Sequence, residues 1–421
     1  MINVNELKNK IFSYRKQEEI MNKWLKLRLD NILPMLMKRS KIDLWIVACN
    51  EYNEDPVFKV LAPVSMISAR RLTIFVYYLN GDTVERYALS RSHSDLNDYY
   101  LPYWDWLSEK ETQIDSLNRL IQEKNPNKIA LNYSSTNAFA DGLSHSLYHQ
   151  IYNSLNELNK EKVCSAIDLC IGILETRLEQ EINAYYSICE IGHSIIANAF
   201  SSNIITKGIT TNSDVKYYLM QKVIDLGLKP WFDFSVDIYR NNQNESRDNQ
   251  IIEPGDLLHL DFGFTYLGLS NDIQELAYVL KDGEEIAPNG LIEGLALANS
   301  FQDIVVSSFK TGDTGNMILK NSLNKAKKAG LNASLYTHAI GYYGHSAGLT
   351  IGLTDKQEEV LYDGSHPLFN NTLHSLELNI KHLVKEWNNQ VVMFPLETDI
   401  IYKDDKVYYA YNRQKEFHYV K

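Results

Sequence analysis

Cysteine is scarce in this chain: Cys49, Cys164, Cys170 and Cys189 are the only four in 421 residues, and none forms a CxxC pair. That sparsity excludes a disulfide-built scaffold and a paired-thiolate metal site, and it fits buried free thiols in a reducing cytoplasm. Runs of lysine and arginine are also missing, and the formal net charge is −11. Nucleic acids and anionic membranes draw proteins in through clustered cations, so neither is expected as the main partner. The segment from Met1 to Arg15 is polar and charged, so neither a signal peptide nor a spanning helix is expected. Low-complexity tracts and short-period repeats are absent as well.

What is present is a hydrophobic content of 44%, enough for large buried cores, in a chain long enough for two domains. Leu25, Leu29, Ile32, Leu33 and Leu36 mark one helical face between Met21 and Lys38, with a kink expected at Pro34. Leu44 to Cys49 reads as a buried strand. Leu72–Leu79 and Thr83–Leu89 flank Asn80-Gly81, a hairpin signal. A helix at Thr112–Glu123, a strand at Lys128–Tyr133 and a long helical stretch towards Leu158 complete an α/β domain of residues 1–174. In the second domain, 175–421, Ala184, Ile188, Ile191, Ile195 and Ala199 line one helix. Thr211-Asn212-Ser213-Asp214 has capping-box form ahead of another helix from near Val215. Strands then alternate with helices at about Leu291–Phe309 and Gly315–Lys328. The chain closes on strands near Leu373–Ile380, Val391–Tyr402 and Lys406–Tyr411.

Carboxylates on strands carry the functional signal. In Leu258-His259-Leu260-Asp261-Phe262-Gly263-Phe264 the alternation sets Asp261 opposite the apolar face. A turn near Tyr266–Gly268 leads to a second strand starting with Asp272. The separation of eleven places the two acids opposite or diagonal on one face of a hairpin with an even loop. Like charges so placed destabilise a sheet unless a cation lies between them, although two acids at a hairpin end also commonly face solvent. Glu377 alternates with Leu376 and Leu378, Glu397 with Leu396 and Thr398, and Gly341 to Gly348 is a glycine-spaced loop presenting His345. Four carboxylates and one imidazole suit manganese, iron, cobalt or zinc. A lone histidine is by itself more often structural than a ligand.

These residues resemble the methionine aminopeptidase, aminopeptidase P, prolidase and creatinase family, with its pita-bread fold. Asp261 and Asp272 are similar to its first two metal ligands in order and spacing. Gly344-His345 with Gly348-Leu349 resembles its GHxxGL segment, Leu376-Glu377 stands where it has the Glu of an EPG strand, and Glu397-Thr398-Asp399 resembles its closing strand. The resemblance implies an α+β protein, in which a creatinase-type α/β domain precedes a pita-bread catalytic domain. The N-terminal domain favours the aminopeptidase P and prolidase branch. Four departures stand out: no histidine lies between His193 and His259, Gly352 replaces a second histidine after the ligand loop, Glu275 stands three residues after Asp272 in place of an arginine, and EPG reads Glu377-Leu378-Asn379.

The resemblance implies two divalent ions, manganese first, with Asp261, Asp272, His345, Glu377 and Glu397 as ligands and Glu397 bridging. It further implies a homodimer. Two close ions acidify a bridging water to hydroxide, and Glu377 is expected to take its proton. Short peptides with proline second are the expected substrates; hydrolysis of another amide or amidine, or peptide binding without catalysis, are the alternatives. Trp231, Tyr342 and Tyr343 are candidates for an apolar substrate pocket, though aromatics are more often core. His338 is the best candidate to replace the missing histidines as a proton donor, with a loop-orienting role as its rival; His382 and His259 are weaker candidates.

Overall fold

The computed structural model describes residues 4–91, 95–108, 110–243, 246 and 249–421. Residues Ser13–Leu178 form one unit, and Glu179–Lys421 with Met1–Phe12 form the other. The division therefore falls after Leu178 rather than after residue 174, and the first residues of the chain go with the C-terminal unit. There the backbone amide of Phe12 donates to the Tyr266 hydroxyl at 2.8 Å.

The N-terminal unit is built on a six-stranded mixed sheet, ordered along Leu101–Pro102, Thr83–Leu89, Leu72–Asn80, Leu44–Asn50, Ile129–Leu131 and Val163–Ser165. The hairpin closes with Asn80 opposite Thr83, and Gly81 supplies the positive φ of +62° that its turn requires. The expected kinked helix is two helices, Tyr14–Leu27 and Leu33–Ser40, joined by a π-helical turn at Arg28–Ile32. The widened turn seats Pro34 at the start of the second helix, where its missing N–H costs nothing. The long helical stretch expected towards Leu158 is instead broken into Ala138–Ala140, His145–Ser154 and Glu157–Lys160. Ser144 and Asn156 restart the chain by accepting from the amides of Leu147 and Asn159.

In the C-terminal unit the elements that matter here are α1 (Glu179–Ala199), α2 (Asn212–Asp225), β1 (Ser235–Tyr239), β2 (Leu257–Phe262) and β3 (Ile273–Val279). They continue with α3 (Asn289–Val306), α4 (Gly315–Lys328), β4 (Thr337–Ile340), β5 (Thr372–Val384) and β6 (Gln390–Lys403). Thr211 caps α2 in a reciprocal capping box with Asp214, which starts that helix three residues earlier than Val215. Among the described residues a ten-stranded sheet runs in the order Thr350–Ile351, β4, β5, β6, β3, β2, β1, with short strands paired off this path. Helices α1 and α2 pack on β1, β2 and β3, while α3 and α4 pack on the half built around β5 and β6. Leu376, Leu378 and Ile380 of β5 and Phe394, Leu396 and Ile400 of β6 bury with Leu291, Leu295 and Ala298 of α3. Alternation then turns Glu377 and Glu397 to the other face. No helix among the described residues is long and apolar enough to cross a membrane.

Candidate metal centre

Strand register assembles the site. Ser235 pairs with Asp261, Asp261 with Gln274, Gln274 with Glu397, and Glu397 with Glu377, so one row crosses β1, β2, β3, β6 and β5. Directly paired residues point to the same side of a sheet, so all five side chains share a face. Asp272 precedes Gln274 by two positions and is the diagonal neighbour of Asp261. A type of turn with both central residues at positive φ, Leu267 at 52° and Gly268 at 75°, lies within the connection that sets this register. On β4, His338 pairs with Ser375, two residues from Glu377, and so reaches the same face.

His345 lies in the loop after β4. Its ring meets that of His338 edge-on with centroids 4.6 Å apart, and that of Trp231 at 5.4 Å. Gly344 permits this packing, because a Cβ there would stand 2.3 Å from the Trp231 ring. The structure thus brings Asp261, Asp272, His345, Glu377 and Glu397 together, and adds His338. Three triads have ligand atoms within 4.8 Å of one another: Asp261, Asp272 and Glu397; Asp272, His338 and His345; and His338, Glu377 and Glu397.

The electrostatics of the cluster are unbalanced. Burial, then the charges of Glu397, Asp261 and Asp399, push Asp272 well above the usual carboxylate range. Burial and Glu397 do the same to Glu377. Asp399, buried beside them, is pushed up to about 8, chiefly by burial and although the Asp272 amide donates to it at 3.2 Å. Burial pulls His338 down, but Glu397 and Glu377 outweigh it and hold the ring at about 9. His345, more open to solvent, is lowered by burial and by His338, so it keeps a lone pair for a cation. Oδ1 of Asp272 and Nε2 of His338 are buried without a hydrogen bond. A carboxylate oxygen with no donor and an imidazole nitrogen aimed at clustered carboxylates are what a divalent cation would satisfy, so the residues present fit such an ion.

Sequence reasoning missed the residue at the centre of the row. Gln274 donates from Nε2 to Glu377 at 2.7 Å and to Glu397 at 2.8 Å, while its Oε1 meets His259 Nε2 at 2.9 Å. His259 Nδ1 in turn meets Asp237 at 3.1 Å. The shared parity of His259 and Asp261 was a visible signal, but the partner strand was not. Ser375 also donates to Glu397. His382 lies 3.6 Å from Glu293 of α3 and is not in the cluster. Of the aromatic candidates, Tyr342 is buried with its hydroxyl donated to Glu181, so it anchors the loop to α1. Trp231 is half-buried and donates to the Asn271 carbonyl at 2.9 Å, and Tyr343 is half-buried. Glu275 points to the opposite face of β3, where it lies 2.6 Å from His193 and 2.5 Å from His418.

A model of metallopeptidase family M24 matches residues 184–398, a stretch that holds every member of this cluster. Comparison with curated proteins finds no match. Among solved structures, the X-Pro aminopeptidase from Thermotoga maritima MSB8 is similar at 17% identity and a TM-score of 0.65, over 92% of this chain and 100% of that one. The Xaa-Pro dipeptidase from Bacillus anthracis is similar at 16% and 0.59, over 97% and 100%. The N-terminal domain of FACT complex subunit SPT16 from Cicer arietinum is similar at 11% and 0.63, over 92% and 96%. At these identities the shared property is the two-domain α+β fold.

Proposed function

We propose that this chain, which belongs to metallopeptidase family M24, hydrolyses short peptides as a dinuclear aminopeptidase or dipeptidase, with proline at the second position the leading substrate. The observation that carries this reading is the convergence of Asp261, Asp272, His345, Glu377 and Glu397, drawn from five separate segments, on one face of one sheet. The likeness to an X-Pro aminopeptidase and an Xaa-Pro dipeptidase over more than nine-tenths of the chain supports the proline preference.

Bound there, two divalent ions (manganese, cobalt, zinc or iron) would supply Lewis acidity for the scissile carbonyl and a water acidified towards neutral pH. Glu377, half-buried opposite Glu397, would take a proton from the attacking water and return it to the leaving amine. Gln274 holds Glu377 and Glu397 at a fixed separation, so less reorganisation is left for the reaction. Trp231 and Tyr343 flank the His345 loop and are the aromatic surface available to a substrate ring. A cytoplasmic homodimer completes the reading.

A second reading, peptide binding without turnover, is favoured by two observations. One structural relative is a domain of the FACT complex, and Gly352 and Glu275 stand where the resemblance expects a histidine and an arginine. Incubating protein loaded separately with manganese, cobalt, zinc and iron with a panel of Xaa-Pro and proline-free dipeptides and tripeptides separates the two. Turnover confined to the Xaa-Pro members is expected. Metal uptake and peptide binding without any hydrolysis would leave the second reading standing.

A further inference from the structure

His338 makes one hydrogen bond: its Nδ1 lies 3.0 Å from the carbonyl oxygen of Ala339. A carbonyl only accepts, so Nδ1 carries the hydrogen, and in the neutral ring Nε2 is a bare acceptor. That nitrogen points at two further acceptors, Asp272 Oδ2 at 3.6 Å and Glu397 Oε1 at 3.7 Å, without a hydrogen bond to either. A positive charge in this small buried volume is what the three atoms share, a proton on Nε2 in the metal-free protein and a divalent ion in its place once metal binds. An imidazole whose Nδ1–H is spent on a backbone carbonyl while Nε2 faces carboxylates has the posture of a metal-bound histidine, the carbonyl fixing tautomer and ring direction.

The three triads sharpen this. The first, Asp261, Asp272 and Glu397, does not involve His338, whereas both others do. Among the described residues His338 is the one member common to the His345 triad and the Glu377 triad, so it lies between the two groups of ligands from which the second ion must draw. Three donor atoms no more than 4.8 Å apart admit a point within about 2.8 Å of all three, and side-chain movement of about 0.7 Å closes that to bonding range.

We infer that His338 is a sixth ligand, completing a second ion site with two imidazoles, rather than the proton donor its place before the ligand loop suggests. This rests on the metal-dependent reading above and deepens it. The two positions then differ in chemistry. The Asp261 position is all oxygen, which suits manganese, whereas the His338–His345 position favours nitrogen-accepting ions such as zinc, cobalt or iron. A mixed centre follows, with the tighter zinc ion on the histidine side.

The test uses the whole protein, stripped with a chelator and reloaded with zinc, and reads X-ray absorption at the zinc edge together with calorimetric titration. The inference expects two imidazole nitrogens per pair of ions in the wild type and one in His338→Ala, with affinity for one of the two ions falling roughly 10- to 100-fold, the other unchanged, and the preference for zinc over manganese reduced. The same imidazole count in variant and wild type, or unaltered titrations, overturns it. If His338→Ala melts early when metal-free, the wild-type spectrum decides alone: two imidazoles sustain the assignment and one ends it, since His259 Nε2 is already engaged by Gln274. Two ions bound through a single imidazole with peptide turnover would sink this assignment and keep the peptidase reading. Two imidazoles without turnover would do the reverse.

Discussion

The two faces of strand β3 each bury acid, and they treat it oppositely. On one face Glu275 sits between His193 and His418, so the protein itself supplies the counter-charge. Burial raises the Glu275 pKa, but the two imidazoles outweigh it and hold it at about 2. Three residues earlier along the chain, Asp272 faces Asp261, Glu377, Glu397 and Asp399, and its pKa moves the other way, driven first by burial. Both faces are dry and both are acidic. The number of acids per imidazole differs, and a surplus of buried carboxylate over available cation separates a site built to receive a ligand from one that holds the fold together.

The largest effect expected of any single change is on the surplus face. Glu397→Gln should abolish turnover, a loss of at least about 10³, and release at least one ion, because this carboxylate belongs to two of the three triads. Elemental analysis and a peptidase assay read it together. Metal retained in full would remove Glu397 from the ligand set.

Opposite signs in stability offer the sharpest comparison. Glu275→Gln should destabilise the protein by about 3 kcal/mol at neutral pH, the worth of the shift from 4.5 to about 2. The native pKa is depressed, so wild type keeps this contribution above about pH 4.5 and loses it as pH falls towards 2. The variant should show a flatter acid limb there in chemical denaturation. Asp272→Asn should instead stabilise the metal-free protein at neutral pH. The native Asp272 holds its proton to higher pH than the unfolded chain, so ionising it there costs stability. Denaturation curves in which both variants shift the same way would break the contrast drawn here.

Stripping the metal is expected to lower stability by about 2.7 kcal/mol when the free ion had stood at 100 times its dissociation constant. Melting with and without a chelator measures this, and Glu275→Gln should respond to the chelator as wild type does. The smallest effect concerns the relay behind the row. Gln274→Ala should weaken one ion about 10-fold by freeing Glu377 and Glu397 to move, and His259→Ala by less, since it acts through Gln274. Calorimetric titration showing tighter binding in Gln274→Ala would mean that the amide competes with a cation instead of aligning its ligands.

The four carboxylate candidates were legible one by one because strand alternation is written locally. An acid flanked by leucines, as Glu377 is by Leu376 and Leu378, faces away from them whatever the strand pairs with. Family resemblance then grouped those acids and His345 by order and spacing. The N-terminal hairpin was legible for the same local reason, since Asn80-Gly81 specifies its own turn. The break before Leu158 was missed because the apolar spacing runs on through it, while the decision rests on side chains at Ser144 and Asn156 reaching backbone amides. Gln274, Asp237 and Ser375 were invisible as site residues, and His259 only a weak candidate, because their meaning depends on which strand lies beside which. Pairing across β1, β2, β3, β6 and β5 joins residues from 235 to 397 in one row, and register over that separation is settled by packing of whole strands, not by neighbouring residues. The sequence alone determined which residues carry charge and which way along each strand they face. Only the tertiary structure decided which acids share a cavity with imidazoles and which share it with one another. Electrostatic energy depends on distance through space, and distance along the chain does not set it.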